Sequence, residues 1–413
     1  MNGRDIMIEK KFSVVEGGMD RLKAICDEAL VMQYSADAQP EATKRLEWEL
    51  SAIEKTDSAF VFLYLRDMIA TLGLKGYEYM IRGTAGSSIV AYLCGISKVD
   101  PFEYDLSPEF VFGFNGNKEL NLDINIPEAY LPAAKTLYEG IDGIKAVIEL
   151  ENDERSIPCK RLMLIPDGSD IPIVRDSNDE WELRDSFFVQ NILTCSGLDM
   201  MEPLFKTTGV NPEDISLNDE KVISFFNGYD ESEAYFEGIP GFEILSSMKS
   251  EDVYKPENIL SVLKDCKAGS YTDFARAQSL VHGTGVWIDN QDQLVRSGIA
   301  DIGSIITDRE DVFDLCIAKG FDREFAFKVA EDVRRGKAAK GKSAFWDEAK
   351  NSLLAVGTPE WYVKACEKIE YLFPRAHSLS NMLRDWYLAW FKVHYPDEFK
   401  QIISDKKCHL SGL

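Results

Sequence analysis

The apolar pattern of this 413-residue chain changes near residue 200, and that change restricts the fold more than any other feature of the sequence. Before it, short apolar runs of strand length alternate with helical segments, and polar turns separate them. After it, apolar residues recur at three- and four-residue spacing through 257–265, 311–334 and 360–395. The pattern therefore predicts a mixed α/β region followed by a mainly helical one.

Run length and spacing predict individual elements. Residues 41–54 have the spacing of a helix, and AFVFLYLRDMIATLG predicts a strand from Ala59 that continues into a helix ending near Gly73. EFVFGF and ELNLDINI flank an Asn-Gly-Asn segment at 115–117 and predict a β-hairpin. A short helix is predicted in PAAKTLYEG, and further strands in YEYMIRG, KAVIEL, RLMLIP and SFFVQNIL. Near the C-terminus, the aromatic stripe of Trp386, Trp390 and Phe391 predicts a packed helix face.

Charge and cysteine usage exclude several classes of protein. Seventy acidic residues against 46 basic ones give a net charge of −24, which disfavours non-specific coating of nucleic acid. Residues 301–413 contain 18 of each sign, so the whole excess lies in residues 1–300. Eight scattered cysteines without a C-x-x-C pair, and only four histidines, predict reduced thiols in a cytoplasmic protein and no zinc site. The N-terminal segment MNGRDIMIEKKF has no apolar run of signal-peptide length, and no stretch approaches the roughly 18 apolar residues of a membrane helix, so we expect neither secretion nor membrane insertion.

The segment RGTAGSS is the first candidate for chemistry, because it lies where a predicted strand gives way to a helix. Small residues at such a turn let backbone N–H groups and hydroxyls approach a phosphate. On local grounds alone, a tight turn whose Ser87 or Ser88 caps the next helix is the more frequent use of such a segment. The predicted phosphate-binding residues are Arg82, Gly83, Thr84, Gly86, Ser87 and Ser88.

A carboxylate on a predicted strand is the second candidate. Asp123 lies in LNLDINI, and paired carboxylates on adjacent strands hold the two magnesium ions of nucleotidyl-transfer enzymes. Asn121 lies on the same strand face, because side chains alternate with a period of two, but its amide is a poor magnesium ligand. Only one carboxylate is present where the chemistry requires two.

Seven blocks of sequence, taken in order, resemble the polymerase region of the replicative DNA polymerase III alpha subunit of the PolC type. The resemblance runs from about Ala24 to Pro396. The blocks are RLEWELSAI, RGTAGSSIVA, FVFGFNGNKELNLDINI, VHGTGVWI, VRRGK, PEWYVKACEKIEYLFPRAH and AWFKVHYP.

The resemblance implies a fold and a domain order. It implies an α/β palm of the polymerase β-like nucleotidyltransferase type and a mainly helical fingers domain, which is α+β overall. We expect a helical N-terminal segment over 1–58, a palm over 59–200 and a fingers-like domain over 201–413. The thumb is expected to be much shortened or absent within 127–185, and we expect no counterpart of the family's other domains.

The resemblance also implies site residues, and the departures from it shape the expected function. The family's three metal-binding aspartates fall on Asn121, Asp123 and Asn191, so two of the three carboxylates are amides. We therefore expect Asp123 to bind Mg²⁺ weakly if at all. The fingers residues that the resemblance places near nucleotide or template DNA are Arg334, Arg335, Lys337, Arg375 and His377.

Three hypotheses about function remain open at this point, and one of them is a stand-alone structural subunit with neither catalytic nor binding activity. The first is a catalytically inactive PolC-like protein that binds a nucleotide (dNTP), primer-template DNA or a replication protein. The alternative is an active DNA-directed DNA polymerase that uses Mg²⁺ with a rearranged carboxylate set, drawn from Glu119, Glu128 or Asp199. Without the resemblance, a solvated helix face is the favoured explanation of the basic residues over 328–350.

Overall fold

The computed structural model places most of the chain in two compact units. One unit comprises Met1–Asp153 and Ile157–Cys195, and the other comprises Glu154–Ser156 and Ser196–Leu413. The predicted boundaries of the palm and fingers domains stay predictions. The structure describes residues 17–118, 120, 122–140, 144–152, 159–166, 173–175, 181–183, 191–195, 197–228 and 262–410.

Helices of the first unit share one hydrophobic core with a small sheet. Leu22, Leu46 and Ile53 point into a continuous core that also includes the sheet residues Ile124 and Ile192. Burial of these apolar side chains is the main stabilising contribution to the unit. The helices are α1 (Gly18–Gln33), α2 (Gln39–Lys55), α3 (Ala59–Thr71), α4 (Ile89–Leu93), α5 (Glu109–Phe112) and α6 (Leu131–Glu139).

The sheet of the first unit is mixed. Its strands are β1 (Met80–Ile81), β2 (Ile124–Ile126), β3 (Ile144–Asn152), β4 (Cys159–Pro166) and β7 (Asn191–Thr194), and a separate ribbon contains β5 (Ile173–Arg175) and β6 (Trp181–Leu183). The spatial order is β1-β2-β7-β4-β3. Strands β2 and β7 run parallel, with Ile124 opposite Ile192, and the other neighbouring pairs run antiparallel.

Two predicted elements of the first unit are wrong. The strand expected from Ala59 does not form, because α3 begins at that residue. Its apolar residues cover most of the helix circumference and are buried, so the missing amphipathic period reflects burial on nearly all sides. The predicted hairpin also fails, because EFVF forms the short helix α5, which ends at Gly113 with φ of 75°. Of ELNLDINI, only Ile124–Ile126 is a strand among the described residues.

Other predicted elements are confirmed. Helix α2 covers residues 41–54, and α6 covers PAAKTLYE. Strands β3 and β4 include KAVIEL and RLMLIP, while β7 forms the end of SFFVQNIL, whose first part lies outside the described residues. The segment in which the thumb is expected to be much shortened or absent, 127–185, contains α6 and β3 to β6, and parts of it lie outside the described residues.

The second unit is helical, as its apolar spacing predicts. The helix Tyr271–His282 packs along the helix Arg375–His394, and Trp386 of the second helix is completely buried beside Phe226 and Phe274. The Trp386 indole donates a hydrogen bond of 2.9 Å to the carbonyl of Ser216. The helices are α7 (Met201–Thr208), α8 (Glu220–Gly228), α9 (Tyr271–His282), α10 (Asp292–Arg296), α11 (Arg309–Ala318), α12 (Arg323–Arg334), α13 (Ala344–Ala355), α14 (Glu360–Cys366), α15 (Arg375–His394) and α16 (Pro396–Leu410).

Three loop segments of the second unit meet at a junction that requires glycine. The backbone of Thr284 pairs with that of Tyr371, and the carbonyl of Arg334 accepts a hydrogen bond from the Leu372 N–H. A Cβ at Gly336, where φ is 64°, would lie only 2.5 Å from the carbonyl oxygen of Glu370. The HGTG, RRG and EYLF segments are therefore held together through their backbones.

Among the helices that the structure describes, none is long and apolar enough to cross a membrane.

Candidate functional site

Asp123 lies at the start of β2, next to the edge strand β1 in the sheet of the first unit. It immediately precedes β2, and its carbonyl oxygen accepts a 2.8 Å hydrogen bond from the backbone N–H of Arg82, which extends the antiparallel pairing with β1. The Arg82 guanidinium donates a 3.3 Å hydrogen bond to the side chain of Asn125, which is buried. The sheet thus brings the predicted acidic residue and the first residue of the RGTAGSS turn together.

The carboxylate of Asp123 accepts two hydrogen bonds from Asn191. The Asn191 amide nitrogen Nδ2 lies 2.9 Å from Oδ1 of Asp123, and its backbone nitrogen lies 3.2 Å from the same oxygen. The parallel pairing of β2 with β7 produces this approach across 68 residues of sequence. Two of the three predicted metal positions are therefore adjacent, while Asn121 lies outside the described residues.

The arrangement does not fit a pair of divalent cations. Magnesium requires oxygen ligands in near-octahedral geometry, and carboxylates supply the charge compensation. Here the Asn191 side chain presents its NH₂ group to Asp123, while its Oδ1 is buried with no hydrogen-bond partner among the described residues. Within those residues, no group of three or more His, Cys, Asp or Glu side chains is placed to hold a metal ion. Glu128 is exposed, and Glu119 lies outside the described residues.

The RGTAGSS turn folds as a single 3₁₀ turn over Gly83–Ser87, and Ser88 caps the helix that follows. Gly83 has φ of 65°, a left-handed conformation that favours glycine. The Ser88 hydroxyl accepts a 3.1 Å hydrogen bond from the Ala91 N–H, so the capping alternative is confirmed for this residue. Thr84 is partly buried, and Gly86 and Ser87 are buried.

A buried carboxylate from α2 already occupies the donor groups behind this turn. Glu49 is fully buried, and its two oxygens accept hydrogen bonds from the Ser88 hydroxyl at 2.7 Å and from the N–H groups of Ile89 at 3.1 Å and Val90 at 3.2 Å. The Arg45 guanidinium adds a fourth donor at 3.1 Å. Four donors on one carboxylate satisfy its buried charge. Ser88 and the start of α4 are therefore engaged by the protein itself.

The arginine pair of the second unit is engaged by one carboxylate. Glu331 accepts hydrogen bonds from Arg334 at 2.8 and 3.0 Å and forms an ion pair with Arg335 at 2.9 Å. Arg309 approaches the same carboxylate at 3.5 Å. Burial opposes the ionisation of Glu331, but the hydrogen bond from Arg334 and the charges of the three arginines outweigh it and lower its pKa to about 2.

Arg375 and His377 are placed inside the helical unit rather than on its surface. Arg375 is 14% exposed, and its guanidinium forms ion pairs with Asp308 at 3.2 Å, Asp311 at 3.1 Å and Asp314 at 2.9 Å. His377 is buried, and its Nε2 lies 3.1 Å from the amide nitrogen of Asn381. The structure thus brings Arg375 to an acidic cluster that the sequence did not predict.

Burial and a second arginine, Arg276, shift the pKa values of the acidic cluster around Arg375. Arg276 contributes a 2.7 Å ion pair to Asp311, whose side chain also accepts hydrogen bonds from the backbone and hydroxyl of Thr307. Burial alone would raise the pKa of Asp311, but the charges of Arg276 and Arg375 lower it overall. Burial dominates at Asp308 and Asp314, and raises the pKa of each to about 6.

Sequence reasoning missed the carboxylates that neutralise the predicted basic residues. Glu331 precedes Arg334 and Arg335 at the three- and four-residue spacing of a helical ion pair, so this signal was present. Asp308 and Asp311 have the spacing of a capping box, which the structure contains at the start of α11. No local signal connects Glu49 with Ser88, because 39 residues separate them.

Comparisons with known proteins agree with the resemblance seen in the sequence. Residues 20–137 match the family described as the bacterial DNA polymerase III alpha NTPase domain. The chain is 24% identical to a DNA polymerase III PolC-type of Caldanaerobacter subterraneus subsp. tengcongensis, over 94% of this chain and 34% of the relative. A DNA polymerase III PolC-type of Thermotoga petrophila is 25% identical, over 95% of this chain and 35% of the relative.

A third relative extends the same pattern to another genus. The DNA polymerase III PolC-type of Lactococcus lactis subsp. lactis is 26% identical, over 85% of this chain and 27% of the relative. The chain spans about a third of the length of the curated relatives it matches. The chain is similar to these DNA polymerase III PolC-type proteins at low identity, and its mixed first unit and helical second unit are compatible with a polymerase-related fold.

Proposed function

We propose that this chain is a PolC-like palm and fingers protein that does not extend primers and acts by binding nucleic acid. The palm is assigned to the first unit and the fingers to the second. The observation that carries the proposal is the 2.9 Å hydrogen bond from the Asn191 amide to the Asp123 carboxylate. Two positions that the resemblance assigns to metal binding are therefore a neutral hydrogen-bond donor and its acceptor.

The chemistry of nucleotidyl transfer explains why this contact matters. In-line displacement at a triphosphate needs cations that compensate the attacking and leaving oxygens, and two metal ions usually supply that compensation. An amide in place of a carboxylate removes one negative charge, and its NH₂ group presents hydrogen atoms where a cation would need oxygen. The Asp123 oxygen that faces Asn191 already accepts two N–H groups. These contacts support the expectation that the pair does not hold a catalytic cation.

Most of the other residues that were predicted to bind a ligand already have partners within the protein, so a binding role would use other, exposed residues. Ser88 and the first N–H groups of α4 are engaged by Glu49, and the arginines of the fingers segments are engaged by Glu331 and the Asp308 cluster. The relatives named above are DNA polymerases, which supports DNA as the partner class of this homologue.

Primer extension tests the proposal directly. The full chain is incubated with a labelled primer-template, all four deoxynucleoside triphosphates and Mg²⁺ or Mn²⁺. We expect no extension, and we expect no magnesium-dependent heat when a single deoxynucleoside triphosphate is titrated calorimetrically. Extension that Asp123→Asn abolishes would overturn the proposal and establish the alternative of an active polymerase with a rearranged carboxylate set.

A restored variant serves as the matched control. Asn121→Asp with Asn191→Asp returns both carboxylates that the resemblance implies, without other changes to the chain. Magnesium binding by this double variant, together with none by the wild type, would assign the loss to these two positions. If both proteins bind magnesium and triphosphate equally, the two amides do not prevent metal binding at this site.

A further inference from the structure

A short turn in the second unit is the most concentrated source of positive charge in an otherwise acidic protein. Residues 333–346 contain five cationic side chains and no acidic one, whereas the whole chain has a net charge of −24. The five are Arg334, Arg335, Lys337, Lys340 and Lys342. A local excess of this kind produces a positive potential even on an acidic protein, because screening limits the reach of distant charges.

The ion pairs divide these five cations into two classes. Arg334 and Arg335 share Glu331, and Lys337 pairs with Asp332 at 3.0 Å. Lys340 and Lys342 are exposed, and neither has an ion pair or side-chain hydrogen bond to any part of the chain that the structure describes. These two ammonium groups are therefore the ones that are available to an external anion.

The turn that presents them is fixed at both ends. Asp332 is 8% exposed and accepts hydrogen bonds from Lys337 on one side of the turn and from Ser343 on the other. The N–H of Lys342 donates to the carbonyl of Lys337 at 3.0 Å, which closes the turn. Gly336 packs against the backbone of Glu370, where a Cβ would clash, so the turn is attached to the fingers-like segment behind it.

We propose that Lys340 and Lys342 contact the phosphodiester backbone of a bound nucleic acid. The inference rests on the proposed binding function and specifies its contact surface, which is this turn rather than the arginine pair or Arg375. Lysine suits the task because its ammonium is a compact charge with three donors that follows phosphate positions without reading bases. Contacts of this type give affinity that falls with salt and does not depend on sequence.

The lysine contribution is measured by fluorescence anisotropy of the full chain with a labelled single strand and a labelled primer-template duplex across a salt series. For Lys340→Ala with Lys342→Ala, we expect binding of the duplex about tenfold weaker at low salt. The slope of log K against log salt should fall by about 2, close to one for each phosphate that the variant no longer neutralises. Lys340→Arg with Lys342→Arg keeps both charges and should retain wild-type affinity.

A matched control separates a local contact from the effect of net charge. Lys206 and Lys364 are 77% and 64% exposed and carry helical ion pairs away from the turn. Replacing both with Ala removes the same two charges and should leave affinity and salt slope unchanged. Equal weakening in the control, or unchanged affinity in the Lys340 and Lys342 variant, would overturn the proposal.

Two further outcomes distinguish this inference from the proposed function. Wild-type protein that binds neither probe at low salt would overturn the proposed binding function together with the lysine contact, whereas wild-type binding that the Lys340 and Lys342 substitutions leave unchanged would overturn the lysine contact alone. Polyglutamate of matched charge is the probe for an acidic protein partner. Binding of polyglutamate as tight as that of the oligonucleotide would replace the nucleic acid with an acidic protein surface.

Discussion

The centres of the two units satisfy their polar groups in opposite ways. In the first unit, Asp123 meets the neutral amide of Asn191, and charge is absent from positions where the resemblance implies carboxylates. In the second unit, Arg375 keeps its charge and is surrounded by three aspartates. One centre lacks the groups that a ligand needs, and the other has them but engages them internally.

The difference teaches that a residue in the expected place is not thereby available to a ligand. Arg334 and Arg335 match the family block, yet Glu331 accepts from both. Breaking such a partly buried pair leaves an uncompensated charge, which costs more than the pair itself contributes. Substitutions at these arginines therefore report on stability before they report on binding, and Lys340 and Lys342 are the cleaner probes of a surface contact.

The largest expected effect is at the centre of the second unit. Arg375→Ala leaves Asp308, which is 1% exposed, without its principal cation, and should reduce the free energy of unfolding by about 4 kcal/mol. Urea denaturation measures the change. Lys364→Ala, which removes an exposed ion pair, is the control and should cost at most about 0.5 kcal/mol. Equal costs for the two variants would show that the aspartate cluster does not depend on Arg375.

The next largest expected loss of stability is in the first unit, behind the RGTAGSS turn. Glu49→Ala removes the shared acceptor of Ser88, Ile89, Val90 and Arg45, and should destabilise the protein by about 3 kcal/mol. Glu49→Gln keeps the shape and part of the hydrogen bonding, and should cost less. A double-mutant cycle with Arg45→Ala isolates the ionic part, and zero coupling in that cycle would contradict the ion pair.

A pH titration sharpens the comparison at Glu331. Its pKa is lowered to about 2 in the folded protein, whereas the ordinary value is 4.5. The folded state therefore gains stability that is fully present above about pH 4.5 and is lost as the pH falls towards 2. We expect the difference in unfolding free energy between wild type and Glu331→Gln to shrink by about 2 kcal/mol over this window. A difference that stays constant with pH would show that Glu331 is not ionised against the arginines.

The smallest expected change in stability is that of Asn191→Asp, and its direction should reverse when Mg²⁺ is added. Asn191→Asp places a second carboxylate beside Asp123 and should destabilise the protein by about 1 kcal/mol at pH 8 in the presence of a chelator. Millimolar Mg²⁺ should restore the stability, because a bound cation compensates both charges. Thermal unfolding with and without Mg²⁺ measures this, with wild type as the control whose melting temperature does not respond. A wild type that responds to Mg²⁺ like the variant would contradict the neutral pair.

Regular elements were the most predictable part of the fold. Helices α2 and α6 and strands β3 and β4 follow their residue patterns, because amphipathic period and run length directly record which face is buried. The run from Ala59 was mispredicted because a helix buried on most sides has no polar face to reveal its period. The hairpin failed because EFVF packs as one helical turn between Pro108 and Gly113, and the Asn-Gly signal alone does not determine what flanks it.

The candidate site was predictable only as a set of residue types. The sequence by itself determined the order of the family blocks, the amides at 121 and 191, the acidic first 300 residues and the cationic stretch at 333–346. Tertiary structure alone decided that Asn191 donates to Asp123 and that Glu49 accepts from the first N–H groups of α4. It also decided that Arg375 forms ion pairs with aspartates of α11 and with Asp308, which caps that helix. The physical reason is that a charge or donor is available only if no partner lies within hydrogen-bonding distance. Partners that lie 39 to 68 residues away are brought there by packing, which no local pattern records.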